Sequence, residues 1–291
     1  MSIVRFAPHA VSIGLLCLAA TANAQPVDLD VPYVTTPQSV SEAMLTIAGV
    51  DHRDYMIDLG SGDGRIVILA AKKFGARGLG VEIDPRLVEA SRENARVAGV
   101  AHRAEFRVQD LFKTPLSRAS VITMYLLPDV NLALRPKLLA LKPGTRIVSH
   151  DWDMGDWRPD AELRVPAPEK TLGLDRTSRV MLWKVPAVVE GSWCSRAHPA
   201  LTLTLSQRYQ QVEGDVIGAR EFNFSGRMDG VRLMAEDASE AQLRGGKLVF
   251  AGQAPLAGTW TRANDACGGK PRRLGAETPP STRADAQSLL K

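Results

Sequence analysis

The chain has 291 residues, of which 45% are hydrophobic and 23% charged, and its formal net charge at pH 7 is only +4. This composition excludes a disordered or fibrous protein, and the length allows one large domain or two smaller ones. Lysine and arginine are interspersed with acidic residues rather than gathered in a run, so no nucleic-acid partner is expected.

Residues 1–24 are predicted to be a signal peptide. Arg5 gives a positive start, Ala10–Ala20 is an apolar run too short to span a bilayer comfortably, and Ala22–Ala24 supplies a small–x–small cleavage pattern. Cleavage after Ala24 would export the mature chain to the periplasm or the extracellular space, with no stable membrane span. The alternative is an uncleaved membrane anchor.

Residues 25–188 alternate strand and helix signals. Strands are predicted at Met56–Leu59, Gly78–Ile83, Glu105–Val108, Ser120–Leu126, Thr145–Ser149, Glu162–Val165 and Arg179–Val185, and helices at Arg65–Lys73, Asp84–Gly99 and Asp129–Leu141. Pro136 should bend or split the last of these helices. The alternation predicts an α/β domain, a Rossmann-like, doubly wound and mostly parallel sheet covered by helices on both faces.

Residues 189–268 show a different pattern, in which short strands of alternating polarity are separated by glycines. These strands are predicted near Leu201–Leu205, Gln211–Ile217, Glu221–Phe224, Gly230–Ala235, Lys247–Phe250 and Gly258–Thr261. They indicate a small antiparallel barrel or sandwich as a β-rich accessory domain. Residues 269–291 are rich in proline, glycine, serine and charge, which predicts a disordered tail.

Signal cleavage would leave two cysteines, Cys194 and Cys267, near the two ends of the β-rich domain. An even pair in an exported chain predicts a disulfide. Two separate buried thiols are the alternative. The histidines are isolated and no Cys or His cluster has metal-ligand spacing, so no metal site is predicted.

The strongest chemical signal is the loop Asp58-Leu59-Gly60-Ser61-Gly62-Asp63-Gly64-Arg65, which follows a strand and opens a helix. A dinucleotide-binding loop would place its third glycine where Arg65 stands. The acid Asp58, two residues before the first glycine, would repel a pyrophosphate and suits a cationic amino-acid ligand. The alternative is a glycine-rich turn that binds nothing.

Two further acids mark the next two predicted strands, Glu82 at the end of Gly78–Ile83 and Asp110 after Glu105–Val108. Glu82 could accept two hydrogen bonds from a ribose diol, and Asp110 falls where an adenine edge would lie. Either residue alone is more simply a solvated carboxylate. With Asp58 and in this order, they predict a nucleoside-binding crevice at the carboxyl ends of the strands.

Residues 31–186 resemble the class I S-adenosylmethionine-dependent methyltransferases, and more narrowly the family of the ATP synthase c-subunit lysine methyltransferase and its bacterial relatives. The resemblance rests on Val31–Pro37, Asp58–Ile66, Gly80–Pro85, Asp110–Phe112, Tyr125–Pro128 and Ser149–Asp151. It implies S-adenosylmethionine as cofactor. The expected cofactor-binding residues are Tyr33, Asp58, Gly60, Ser61, Gly62, Asp63, Gly64, Glu82 and Asp110. Those expected on the acceptor side are Tyr125, Pro128, His150 and Asp151.

The resemblance implies a methyltransferase that acts on a protein acceptor, with lysine suspected, and the signal-peptide pattern separately predicts that it is exported. Tyr125, His150 or Asp151 could hold or deprotonate an acceptor amine, although a packed tyrosine and polar strand ends would explain them as well. Trp152 and Trp157 either wall the acceptor pocket or anchor their loop on the sheet. The competing function is a non-catalytic nucleotide-binding scaffold or sensor that presents the β-rich domain, and an aminopropyl transferase is a weaker third possibility.

Overall fold

The structure is a computed structural model that describes residues 34–170, 175–218, 221–236, 239–252, 256–263 and 267. The predicted signal peptide, the predicted cofactor ligand Tyr33 and the predicted tail at 269–291 lie outside the described residues. Within the described ranges, none of the helices combines the length and apolar character needed to span a membrane.

The first part of the chain forms a seven-stranded sheet with helices between its strands. Its elements are α1 (Gln38–Ile47), β1 (Tyr55–Leu59), α2 (Arg65–Phe74), β2 (Arg77–Glu82), α3 (Pro85–Val97), β3 (Ala104–Val108), a 3-10 turn (Leu111–Lys113), β4 (Val121–Met124), α4 (Pro128–Leu139), β5 (Arg146–His150), β6 (Ala161–Pro166) and β7 (Thr177–Lys184). The strand order is β3-β2-β1-β4-β5-β7-β6. Strands β1 to β5 are parallel, whereas β7 runs antiparallel to both β5 and β6. The predicted Rossmann-like, mostly parallel sheet is therefore confirmed.

The strand order reverses direction beside β1, whose neighbours are β2 and β4. In open α/β sheets, ligands bind in the crevice outside the carboxyl ends of the strands at such a switch point. The loops after β1, β2, β3 and β4 therefore frame the candidate site.

Local chemistry explains where α3 begins. Asp84 caps α3 by accepting a hydrogen bond from the backbone of Arg86, and Pro85 occupies the first turn. The expectation that Pro136 would split α4 is wrong, because the helix is continuous from Pro128 to Leu139. Pro136 removes the backbone hydrogen bond to the carbonyl of Leu132, but the buried Val130, Leu134 and Leu138 pack α4 on the protein interior, and such tertiary packing stabilises the helix.

The second part is a closed eight-stranded antiparallel barrel, which decides between the predicted barrel and sandwich. Its strands are β8 (Gly191–Ser195), β9 (Thr202–Arg208), β10 (Gln211–Ile217), β11 (Phe222–Asp229), β12 (Arg232–Ala235), β13 (Glu240–Arg244), β14 (Lys247–Ala251) and β15 (Gly258–Arg262). Pairing of β15 with β8 closes the barrel, and side chains that include the fully buried Trp193 and Trp260 fill its core. The sequence patterns did not predict β8, β13 or α1.

The predicted disulfide between Cys194 and Cys267 is formed, with the two Cα atoms 5.3 Å apart and a sequence separation of 73. Cys194 lies in β8, and Cys267 follows β15. The bridge therefore reinforces the seam at which the first and last strands close the barrel.

Candidate functional site

Asp58 lies at the carboxyl end of β1 and is almost completely buried. One of its carboxylate oxygens accepts a hydrogen bond of 2.7 Å from the Thr123 hydroxyl on β4. Burial raises the pKa of Asp58 to about 7; the charges of Glu82 and Asp63 act in the same direction, and the Thr123 hydrogen bond opposes them. A cation beside Asp58 would restore its ionised form, as a nearby opposite charge does for any carboxyl.

The glycine loop after β1 turns through left-handed backbone at three positions, with φ of 75° at Gly60, 52° at Gly62 and 81° at Gly64. Glycine adopts such angles without strain. At Gly64 a side chain is also excluded by contact, because a Cβ atom would lie 2.6 Å from the Phe106 ring. The loop is thus held close to the sheet at the switch point, where Gly60 is exposed and Gly62 and Gly64 are buried.

Glu82 ends β2 and ties two loops together. Its carboxylate accepts hydrogen bonds from the backbone of Gly62 at 3.1 Å, of Ile83 at 2.7 Å and of Asp84 at 3.1 Å. These three backbone donors fix the carboxylate and leave acceptor capacity at Oε2, which could receive a ribose hydroxyl. The structure therefore places Glu82 beside the glycine loop, as the order of the motifs predicted.

Asp110 follows β3 and is oriented by its own loop. It caps the 3-10 turn by accepting a 2.8 Å hydrogen bond from the backbone of Phe112, and Lys113 lies 3.4 Å from its other oxygen. Two exposed apolar residues stand next to these acids, Ile83 at 69% and Phe112 at 41% relative exposure. Sequence reasoning missed them, although their position directly after the predicted acids was the available signal.

Ser61 and Asp63 differ in what they contact. The Ser61 hydroxyl is buried and has no hydrogen-bond partner in the described part of the chain, which a polar ligand or an ordered water would satisfy. Asp63 forms a 2.6 Å ion pair with Arg65, whose guanidinium also donates to the backbone oxygen of Thr36 at 2.9 Å. The acids, the glycine loop and the unsatisfied hydroxyl together fit a polar nucleoside that carries a cationic amino acid.

The predicted acceptor-side residues gather where β4 and β5 end. Tyr125 follows β4, is half-buried and stacks on the ring of His150, with centroids 3.8 Å apart and the planes inclined by 30°. Burial, together with the charge of Asp151, raises the pKa of Tyr125 above its usual value. Pro128, three residues after Tyr125, is the first residue of α4 and is exposed.

His150 is fully buried and both of its ring nitrogens are engaged. Nε2 lies 2.9 Å from the Ser178 hydroxyl, and Nδ1 lies 3.4 Å from that of Thr36. Burial lowers the pKa of His150 to about 4; Lys170 adds to the lowering, and Asp151 opposes it. The imidazole is consequently neutral at pH 7, and it packs against the Tyr125 ring.

Asp151 is the first residue after β5 and adopts a left-handed backbone, with φ of 61°. One carboxylate oxygen accepts a 2.9 Å hydrogen bond from the Arg179 backbone, and the other lies 2.8 Å from the ammonium of Lys170. Sequence reasoning missed Lys170, a single lysine in the β6–β7 loop with no motif around it. Asp151 is therefore paired with Lys170, although its charge still acts on Tyr125.

The two tryptophans of the β5–β6 loop have different environments. Trp157 is fully buried and anchors the loop, whereas Trp152 is 42% exposed. Within the residues that the structure describes, no group of three or more His, Cys, Asp or Glu side chains is arranged to hold a metal ion.

Comparison with known proteins gives consistent matches to this half of the chain. The model of the ANTKMT methyltransferase domain matches residues 58–161. A protein-lysine N-methyltransferase of Saccharolobus islandicus is 44% identical over 137 residues, which are 46% of this chain and 85% of that protein. An ATP synthase c-subunit lysine N-methyltransferase of Mus musculus is 39% identical over 109 residues, 37% of this chain but only 44% of that protein.

Among solved structures, this chain is similar to one described as an RNA methyltransferase from Salinibacter ruber in complex with S-adenosyl-L-homocysteine. The sequence identity is 50%, the TM-score is 0.48, and the match covers 54% of this chain and 96% of that one. The relatives therefore correspond to about half of the present chain.

Proposed function

This chain belongs to the methyltransferase family that includes the archaeal protein-lysine N-methyltransferase, and on that premise we propose that its acceptor is the side-chain amine of a protein lysine. It is an enzyme, and its cofactor is S-adenosylmethionine. The amine acceptor is supported by the arrangement at the ends of β4 and β5. There the protonated Tyr125 stacks on the neutral His150, and Asp151 is paired with Lys170.

S-adenosylmethionine supplies a methyl group on a sulfonium, an electrophile that reacts with a neutral amine without a metal or a covalent enzyme intermediate. We assign Asp58 to its amino-acid ammonium, Glu82 to its ribose diol and Asp110 to the adenine edge, following the order of the strands. Ile83 and Phe112 offer exposed apolar faces to the base. The contribution of the protein is alignment, which can lower a barrier by roughly 7–11 kcal/mol.

A lysine ammonium must lose its proton before its nitrogen can attack a methyl group. The acceptor side favours this loss, because half-buried surroundings without a free anion stabilise a neutral amine over an ammonium. The raised pKa keeps Tyr125 protonated at neutral pH, so the phenol oxygen acts as a hydrogen-bond acceptor that orients the amine. The proton leaves to water at the exposed mouth of the site.

Export to the periplasm or the extracellular space is a second part of the proposal. It is supported by the signal-peptide pattern of residues 1–24 and by the Cys194–Cys267 disulfide, since such bonds persist in oxidising compartments. Amino-terminal sequencing of the protein purified from its native cell tests it. A mature chain that begins at Gln25 supports export, and a cytoplasmic chain that still begins at Met1 contradicts it.

The acceptor is tested with radiolabelled S-adenosylmethionine and fractionated cell-envelope extract. We expect label in protein, with mass increments of one methyl group on lysine, and no label when the extract is incubated with an Asp58→Ala variant. Total RNA incubated in parallel should remain unlabelled; label in RNA alone would contradict the lysine proposal. Cofactor binding without transfer to any fraction would favour the scaffold function instead.

A further inference from the structure

The β5–β6 loop, residues 151–160, connects the acceptor side to the barrel. Helix α4 holds the first half of this loop by its backbone. Asn131 donates from its side-chain amide to the backbone oxygens of Trp152 at 3.0 Å and Asp153 at 3.2 Å, and Arg135 donates to that of Met154 at 2.8 Å. The part of the loop nearest Asp151 therefore follows α4, the helix that begins at the predicted acceptor residue Pro128.

The barrel holds the second half of the loop through one turn, the two residues between β9 and β10. Gln210 in this turn is only 2% exposed. Its side-chain oxygen accepts a 3.0 Å hydrogen bond from the indole of Trp157, and its nitrogen donates to the backbone oxygen of Arg158 at 2.6 Å. A buried amide with two bonds to one loop fixes that loop, because breaking either bond would leave buried polar groups unsatisfied.

The neighbouring turn residue is Tyr209, which adopts a left-handed backbone with φ of 54°. Such a backbone is rare for a bulky residue, and two-residue hairpin turns favour glycine or asparagine there. The ring stacks against Trp157 with centroids 6.0 Å apart, and the hydroxyl donates to Asp156 at 3.1 Å. A strained conformation of this kind persists when surrounding contacts require it.

Asp156 links the turn back to α4. Besides Tyr209, one of its oxygens accepts from Arg208 of β9 at 2.9 Å, and the other pairs with Arg135 of α4. Arg135 also holds the backbone of Met154. The barrel turn, the loop and α4 are thus joined by one connected set of contacts that ends at the acceptor side.

We propose that Tyr209 and Gln210 are positioning residues for the acceptor side, and that the barrel fixes the β5–β6 loop during methyl transfer. The inference rests on the proposed function, because it takes the ends of β4 and β5 as the acceptor side. It gives the barrel a role within the enzyme that does not require a separate binding partner. The side chains of Tyr209 and Gln210 bind the β5–β6 loop, which lies on the acceptor side. Cofactor binding at the glycine loop should therefore be independent of these two residues.

The test compares Tyr209→Gly and Tyr209→Asn with the wild-type full chain. Both replacements suit the left-handed turn, so the barrel should fold while the ring and hydroxyl are lost. Tyr209→Phe retains the ring and should retain most of the wild-type behaviour. Arg244→Ala is the matched barrel control, because this exposed side chain donates to Gln242 within its own strand.

Hydrogen exchange decides the structural part of the proposal. In Tyr209→Gly and Tyr209→Asn, amides of residues 151–158 should exchange about tenfold faster, whereas those of β1 and β4 should be unchanged. Acceptor kcat should fall by about tenfold, with S-adenosylmethionine affinity within about twofold of wild type. Unchanged exchange in the loop of a folded variant would overturn the inference. Faster exchange in the loop of the variants, together with a wild type that methylates nothing, would refute the proposed function and would support only the structural part, that the turn fixes the β5–β6 loop.

Discussion

The buried carboxyl of Asp58 makes the stability of the free protein depend on pH in a defined direction. Its pKa in the folded protein is raised from 3.8 to about 7 by burial. The folded state therefore binds the Asp58 proton more tightly than the unfolded chain does. The contribution of this proton to the free energy of unfolding is complete below about pH 4 and is lost as pH rises through about 7. The full shift corresponds to at most about 4 kcal/mol of unfolding free energy.

Asp58→Asn removes this titration and retains an oxygen that can accept from Thr123. Urea unfolding of both proteins at a series of pH values between about 4 and 8 should show wild type losing stability relative to the variant, by several kcal/mol across the window. Saturating S-adenosylhomocysteine should reduce the loss, because its ammonium favours the ionised carboxylate. Thr123→Val should move the window to higher pH, since the hydrogen bond it removes lowers the pKa. A wild-type-minus-variant difference that is constant with pH would refute the reasoning.

Three further changes probe the rest of the molecule. Glu82→Ala should abolish measurable S-adenosylmethionine binding in calorimetry, because it removes the proposed diol acceptor and the hydrogen bond that holds the Gly62 backbone. Retained affinity would show that Glu82 does not bind the cofactor. Tyr125→Phe should lower acceptor kcat by about tenfold while cofactor affinity is kept, and equal losses in both would mean that the hydroxyl has no specific role. Replacing Cys194 and Cys267 by serine should destabilise the barrel by about 2–4 kcal/mol in thermal unfolding, because the bridge closes a long loop and so lowers the entropy of the unfolded chain. An unchanged melting profile would contradict this prediction.

The cofactor side could be predicted from sequence because its chemistry is local. Each acid stands at or just beyond the carboxyl end of a recognisable strand, and the glycines of the Asp58–Arg65 loop are required by backbone angles that other residues avoid. Strand order then brings the three acids to one edge. Nothing beyond the periodicity of the strands and the parallel connection rule was needed to place them there.

The elements that were missed lack such local signals. Helix α1 begins after Pro37 without a side-chain cap. Strand β13, with the sequence Glu-Ala-Gln-Leu-Arg, buries one residue fully, and its place is set by pairing with β12 and β14. Lys170 and Gln210 act through partners that lie far away in sequence, so no spacing rule identifies either. Tertiary contact, rather than propensity, determines these positions.

The division of charge between the two sides of the site explains why Lys170 matters. The proposed cofactor side holds three carboxyls, which suits a cationic ligand, whereas on the proposed acceptor side Lys170 pairs with Asp151 and His150 is uncharged. A substrate ammonium gains no anionic partner there, and its deprotonation is correspondingly favoured. Lys170→Met would expose Asp151 as an anion that binds the ammonium. Steady-state kinetics should then show both acceptor KM and kcat decreasing, since tighter binding of the protonated amine opposes transfer; a variant with raised KM and unchanged kcat would mean that Lys170 only supports the loop.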